Sequence, residues 1–284
     1  MSDSSAARGR RAVEASRSVA REVGVDSPAP VILADAHNTI VWLAPAPVVA
    51  KVATSPVGPA AKRLEREITV ADHAASEGAP IARPSPLFEP RLYRSDSLAM
   101  TFWVHVEHDP AGKLDPQQAA GALGAVHEAL LDFDGDLPDY TDRLREAGTL
   151  LADDAATPTL QAEDRSFMQR AHALLSGRLS RINPSSQPLH GEPHRGNILV
   201  TPERVVLVDL EAACRGPREW DAGFLPEDAR ALVPALDREL LELLSPVRSL
   251  CVSAACWAQP GRHPDVTEAG QLHLRLLREA KGLG

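Results

Sequence analysis

Between Leu189 and Glu211 the chain reads LHGEPHRGNILVTPERVVLVDLE. His190, Glu192, His194, Arg195, Asn197, Asp209 and Glu211 crowd around two short apolar runs, Asn197 to Val200 and Val205 to Leu210, joined by Thr201-Pro202-Glu203-Arg204. The apolar residues fill strands and the polar ones sit at strand ends, where loops project. A plain hairpin would carry turn residues there. For any one of these side chains, a hydrogen bond that orders the loop is the simpler role. As a set in this order they point to chemistry.

Three chemistries use such residues. His190-Gly191-Glu192 has the H-x-E form of zinc deaminases, which also need a downstream P-C-x-x-C. Cys251 and Cys256 are separated by four residues with no preceding Pro, so the thiolate ligands are missing. His190 and His194 have the i, i+4 spacing of a metalloprotease helix. Gly191, Pro193 and Gly196 forbid that helix. Phosphoryl transfer fits better. It needs a carboxylate to orient the attacking hydroxyl, an Asn and an Asp to hold magnesium, and a lysine on the phosphates. The kinase catalytic loop places four residues between its base and its Asn, and Glu192 and Asn197 have that separation. Asp209 closes the next apolar run as the second metal ligand. Lys51 ends Val48-Val49-Ala50, and Glu67 lies in the following helical stretch, so the pair expected on a third strand and its neighbouring helix is present.

Elements must hold these groups. Ala12, Val13, Ser16, Val19, Ala20 and Val23 have helical spacing. Strand-like runs follow at Val31 to Leu33, Thr39 to Leu43 and Val48 to Val52, then a helix from Ala61 to Glu77 and a strand from Leu98 to Val106. Beyond the turn at Asp109-Pro110-Ala111-Gly112 the texture becomes helical. Helices are expected at Pro116 to Leu131, Asp139 to Ala152, Ala162 to Leu179, Pro226 to Leu244, Pro246 to Ala258 and Val266 to Ala280. This predicts an N-terminal lobe over residues 1–106 and a helical C-terminal lobe over 107–284, with a cleft between them suited to a small ligand.

Composition narrows the partners. The 284 residues carry 30 Lys plus Arg against 39 Asp plus Glu, a formal charge of −9, and few aromatics. A general nucleic-acid or anionic-membrane binder needs a cationic surplus and stacking surfaces, so neither is expected. Three cysteines without paired spacing suggest reduced thiols in a cytoplasmic protein. The start has no apolar run of a signal peptide, and no stretch is read as approaching the roughly 20 apolar residues that span a bilayer.

The same pieces in order make the sequence resemble the aminoglycoside phosphotransferase family, small-molecule kinases that share the protein-kinase fold. The likeness covers most of the chain: NTIVWLAPAPVVAKV, REITVADHAA, MTFWVHVE, LHGEPHRGNILV, VVLVDLEAACRGPREWD and the helical tail. It implies an α+β, two-lobed fold with an antiparallel-sheet N-lobe and a mostly helical C-lobe, using ATP or GTP with magnesium. Lys51 would contact the phosphates, held by Glu67, with Glu65 the competing partner. Asn197 and Asp209 would bind the metal, and Glu211 would assist the metal or the loop. His190 would order the catalytic loop, and Asp221 would anchor it from within a buried site. Met100, Thr101, Phe102 and Trp103 would form the hinge facing adenine. No glycine-rich phosphate loop is legible, and Asp35 to Asn38 takes its place.

One position departs from the family. Its catalytic Asp is Glu192 here. The extra methylene moves the carboxylate by roughly 1.5 Å, a misplacement of the size that costs about a hundredfold in rate. The expected function is therefore transfer of phosphate to a hydroxyl of a small molecule. The alternative is a nucleotide-binding, pseudokinase-like module with weak or no chemistry. Asp132, Asp134, Asp136, Asp139, Asp142, Glu146, Asp153 and Asp154 make the insert after the first C-lobe helix acidic. Such a region suits a cationic acceptor, although charge runs are more often solvated surface.

Overall fold

The computed structural model describes residues 5–35, 37–54, 57–258 and 264–283. In chain order the elements are α1 (Ser5–Glu22), β1 (Val31–Asp35), β2 (Thr39–Trp42), β3 (Val48–Ala53), α2 (Val57–Ser76), β4 (Tyr93–Ser95), β5 (Leu98–Val104) and α3 (Pro116–Leu130). Then follow α4 (Asp142–Ala152), α5 (Ala162–Leu179), β6 (Gln187–Leu189), β7 (Ile198–Val200), β8 (Val205–Leu207), β9 (Cys214–Gly216), α6 (Arg218–Ala222), α7 (Glu227–Arg230), α8 (Arg238–Trp257) and α9 (Pro264–Glu279). The chain forms two compact units. One comprises Met1–Leu137, Pro188–Ala213 and Phe224–Pro234; the other comprises Pro138–Gln187, Cys214–Gly223 and Ala235–Gly284.

The first unit is built on an antiparallel sheet of order β1-β2-β3-β5-β4. Side chains alternate across it, as a pleated strand requires. Val48, Ala50 and Val52 of β3, with Met100 and Phe102 of β5, bury themselves against Ala12, Ala15 and Val19 of α1. Phe88 stacks on Phe102 at 3.9 Å between ring centroids, and Tyr93 meets Phe102 edge-on at 5.3 Å. The opposite face carries Val49 and Lys51, which pair in register with Trp103 and Thr101. Helix α2 packs on β3 and β5, with Leu64, Ile68 and Ala71 buried. The β7–β8 hairpin packs on α3 and is tied to the chain after α2, where Leu207 N–H donates to Pro80 at 2.8 Å and Ala82 N–H to Leu207 at 2.9 Å. Those two bonds bring the residues after β8 beside α2.

In the second unit α8 packs against α4, α5, α6 and α9. It corrects the expectation of separate helices over Pro226 to Leu244 and Pro246 to Ala258. The first stretch is broken after the short α7, where Ala235 turns into the left-handed region at φ 53°. A new helix begins where the Asp237 side chain accepts from the Glu239 and Leu240 N–H groups. It runs through Pro246, which removes one hydrogen bond. Leu244, Val247, Leu250, Cys251 and Ala254 bury one continuous face on both sides of that proline, and their packing outweighs the lost bond. Among the described residues α8 is also the one helix whose length and composition suit a bilayer crossing. That revises the reading that no stretch comes near such a length. Cys214, Cys251 and Cys256 form no disulfide.

Candidate active site

Lys51 reaches the site because the β3 register turns it away from the α1 face. Glu67 reaches it because it follows Leu64 by three residues and shares the buried side of α2. Lys51 is 6% exposed and Glu67 is 1% exposed. Glu65, the competing partner, points to solvent. Lys51 Nζ donates to Glu67 Oε1 at 2.9 Å and Oε2 at 2.8 Å, and to Asp209 Oδ1 at 2.8 Å. It also pairs with Glu211 Oε1 at 2.7 Å. One ammonium therefore sits among three carboxylates.

Their charges shift each other. Burial alone would lower Lys51, but Asp209, Glu211 and Glu67 overcome it and hold the ammonium well above its usual range. Burial pushes Glu67 up to about 8, with Asp209 and Glu211 adding to the rise and Lys51 opposing it. Asp209 moves the other way. Removal from water would raise it, but the charge and hydrogen bond of Lys51 keep it below its usual range.

The β7–β8 hairpin and the segments flanking it supply another wall. Gly191 has φ +93°, and a Cβ there would lie 1.9 Å from the Ala212 carbonyl oxygen, so only glycine fits. His190 is fully buried. Its Nε2 lies 3.1 Å from the Val208 carbonyl, and its Nδ1 is 3.4 Å from the Glu192 N–H. This ring thus links the loop to the residue just before Asp209. The Glu192 carbonyl accepts from Asn197 Nδ2 at 2.9 Å and from the His194 N–H at 2.8 Å. With its amide nitrogen spent, Asn197 has its oxygen left for a cation. Asp209 lies in the left-handed region at φ 68°, which turns its carboxylate toward Lys51.

Lys51, Glu67, Asn197 and Asp209 line one cavity of about 460 Å³ within the first unit. Its other walls are apolar, among them Leu33, Ile40, Val49, Trp103, Val106 and Leu199. Of the four residues expected as hinge, only Trp103 lines it. Met100 and Phe102 face the α1 core, and the buried Thr101 hydroxyl accepts from Trp103 Nε1 at 2.9 Å. The wall continues instead through Val104, His105 and Val106, and His105 stacks on Trp42 at 4.3 Å. Glu192 is half-buried and is not among the lining residues. Asp221 is fully buried in α6, in the second unit.

Sequence reasoning missed Asn38 and Arg66. Asn38 Nδ2 donates to Glu211 Oε1, and Arg66 Nη2 donates to the Glu211 carbonyl. The signal available for Asn38 was its place in the Asp35 to Asn38 stretch, expected in the position of a glycine-rich loop. That stretch is braced by Asp35, which accepts from Arg8 Nη2 at 2.8 Å and from the Thr39 hydroxyl at 2.8 Å. Nothing in the local pattern marked Arg66.

A model of the phosphotransferase enzyme family matches residues 28–249. The chain belongs to that family. The matched span includes Lys51, Glu67, Glu192, Asn197, Asp209 and Glu211. Among solved structures, a spectinomycin phosphotransferase in complex with ADP and spectinomycin is similar at TM-score 0.65 and 13% identity, over 94% of this chain and 93% of that one. An amicoumacin kinase bound to AMP-PNP and calcium is similar at TM-score 0.67 and 11% identity, over 94% of each chain. A choline/ethanolamine kinase family protein from Mesorhizobium loti is similar at 0.65 and 14% identity, over 96% and 95%. At these identities the likeness establishes the fold, which is the α+β protein-kinase-like one. Among curated proteins none matches the chain in sequence.

Proposed function

We propose that this member of the family transfers the terminal phosphoryl group of a nucleoside triphosphate to a hydroxyl of a small molecule. The observation that carries the reading is the buried Lys51 ammonium, held by Glu67 and Asp209 at 2.8 Å at the polar end of an apolar cavity. Apolar walls accept a base, and the charged end accepts its phosphates. In this reading residues 1–106 are the nucleotide-binding lobe, and 107–284 carry the catalytic loop and the acceptor pocket.

The residues present fit a divalent cation. Glu67, Asp209 and Glu211 each place an oxygen within 4.8 Å of the others. Three carboxylates around one ammonium leave surplus negative charge. Asp209 and the Asn197 oxygen are the ligands for magnesium, which neutralises phosphate charge when bound. Lys51 orients the phosphates. Glu192 is the candidate base for the acceptor hydroxyl, positioned by the hydrogen bonds its backbone carbonyl accepts from Asn197 Nδ2 and the His194 N–H.

A cationic acceptor draws support from the similar structures of a spectinomycin phosphotransferase and of a choline/ethanolamine kinase family protein. The acidic insert adds little. Asp139 accepts from the Thr141 N–H, Asp142 pairs with Arg145, Asp153 caps the Ala155 N–H and Asp154 pairs with Arg165. These carboxylates serve local turns and surface pairs.

The test is ADP release across hydroxylated amines and sugars with ATP or GTP and magnesium, with Asp209→Ala as the control. Transfer that Asp209→Ala abolishes supports the enzyme. Glu192 in place of Asp favours a second reading, nucleotide binding without transfer, which tight binding and no phosphorylated product would support. No thermal stabilisation by millimolar nucleotide and magnesium would remove both.

A further inference from the structure

The Lys51 ammonium has three N–H groups. Nζ donates to both Glu67 oxygens and to Asp209 at 2.8 Å, and Glu211 Oε1 crowds it as an ion pair at 2.7 Å. A phosphate oxygen can bind this lysine only when a carboxylate leaves it. Glu67 is poorly suited to leave, since it is 1% exposed and its Oε1 also accepts from the Leu210 N–H at 3.1 Å. Asp209 is held by a constrained backbone at φ 68°. Glu211 has the longer side chain and the same sign of charge as the incoming phosphates.

The oxygen of Glu211 that meets Lys51 is the one that accepts from Asn38 Nδ2. Asn38 lies in the β1–β2 turn and lines the cavity. From the other side, Arg66 of α2 holds the Glu211 carbonyl, so the backbone stays anchored while the side chain is able to rotate. We propose that Glu211 is a latch, clasping Asn38 to Lys51 until the phosphates of an arriving nucleotide displace its carboxylate. The latch rests on the nucleotide-site reading above, and its cost appears as weakened affinity, because only the unlatched fraction binds.

The test is ADP affinity by calorimetry without divalent metal, for the wild-type chain, Asn38→Ala, Glu211→Gln and the double variant. Hydrogen exchange at residues 37–39 without nucleotide gives a second readout. The latch predicts binding about five-fold tighter in Asn38→Ala, which changes no charge. It also predicts a double variant no tighter than Glu211→Gln alone, and faster exchange in each single variant. Unchanged or weaker binding by Asn38→Ala overturns the latch, even if Glu211→Gln binds tighter through simple loss of charge. Should Glu211→Gln misfold, Asn38→Ala decides by itself. Failure of the wild-type chain to bind ADP at millimolar concentration, with or without magnesium, overturns the nucleotide site as well.

Discussion

Lys51 and Asp209 stand 158 positions apart and meet at 2.8 Å between Nζ and Oδ1. The contact joins the central strand of the sheet to the segment following the β8 strand. Its partner on the other side, Glu67, is equally close at 2.8 Å.

Removing the lysine tests that arrangement. Lys51→Ala strands three carboxylates, and loss of one partner from a buried ion pair costs about 3 kcal/mol or more. The cost is expected to be larger at pH 8.5 than at pH 5.5, because Glu67 takes up a proton at the lower pH. Chemical denaturation at the two values measures it. Phosphoryl transfer, measured in parallel, falls at least about a hundredfold, since positioning supplies most of this catalysis.

Glu67 predicts a pH dependence for the metal-free chain. Its pKa rises from 4.5 to about 8 on folding. Between those values the folded state holds a proton that the unfolded state has lost, so stability declines as pH rises and the contribution is gone above about 8. Glu67→Gln is expected to flatten that decline by one proton's worth of slope. Melting temperatures of both proteins from pH 5 to 8.5 check it, and parallel slopes would refute it.

Gly191→Ala meets the Ala212 carbonyl 1.9 Å from the new Cβ, at φ +93°. A strained backbone of this kind costs about 2 kcal/mol, and the clash adds to it. The damage should spread to the proposed metal ligand Asp209, because His190 ties this loop to Val208. Lower thermal stability together with weaker magnesium-dependent nucleotide binding is the expected result.

Glu192→Asp shortens the candidate base by one methylene. The bonds from Asn197 and His194 fall on the Glu192 carbonyl, not on its side chain, so the loop is expected to survive the change. Turnover should rise by up to about a hundredfold, with the nucleotide KM unchanged. A fall in turnover would show a pocket built around the longer carboxylate.

Much of this protein was readable along the chain, and the parts that were not have physical reasons. The helix over Ala162–Leu179 and the strands bearing Lys51 and Met100 follow from local apolar spacing. β4 escaped notice because three residues give no period to read, and its Tyr93 is placed by Phe88 and Phe102. Pro246 reads as a break until the packing on both sides of it is known. Met100 and Phe102 read as hinge because composition alone does not say which side of a strand meets α1.

Residue identity and order by themselves marked the α+β class, the helical texture after residue 112 and Lys51, Glu67, Asn197 and Asp209, which line one cavity, while Glu192, marked with them, does not. Those are properties of short segments, governed by backbone preference and side-chain period. Tertiary structure decided which oxygen atoms surround the Lys51 ammonium, that Asn38 and Arg66 hold Glu211, and that the cavity wall runs through Val104 and His105. Such contacts depend on strand register and helix docking to within an ångström. Free energies of that kind belong to pairs of surfaces, and no single stretch of chain encodes them.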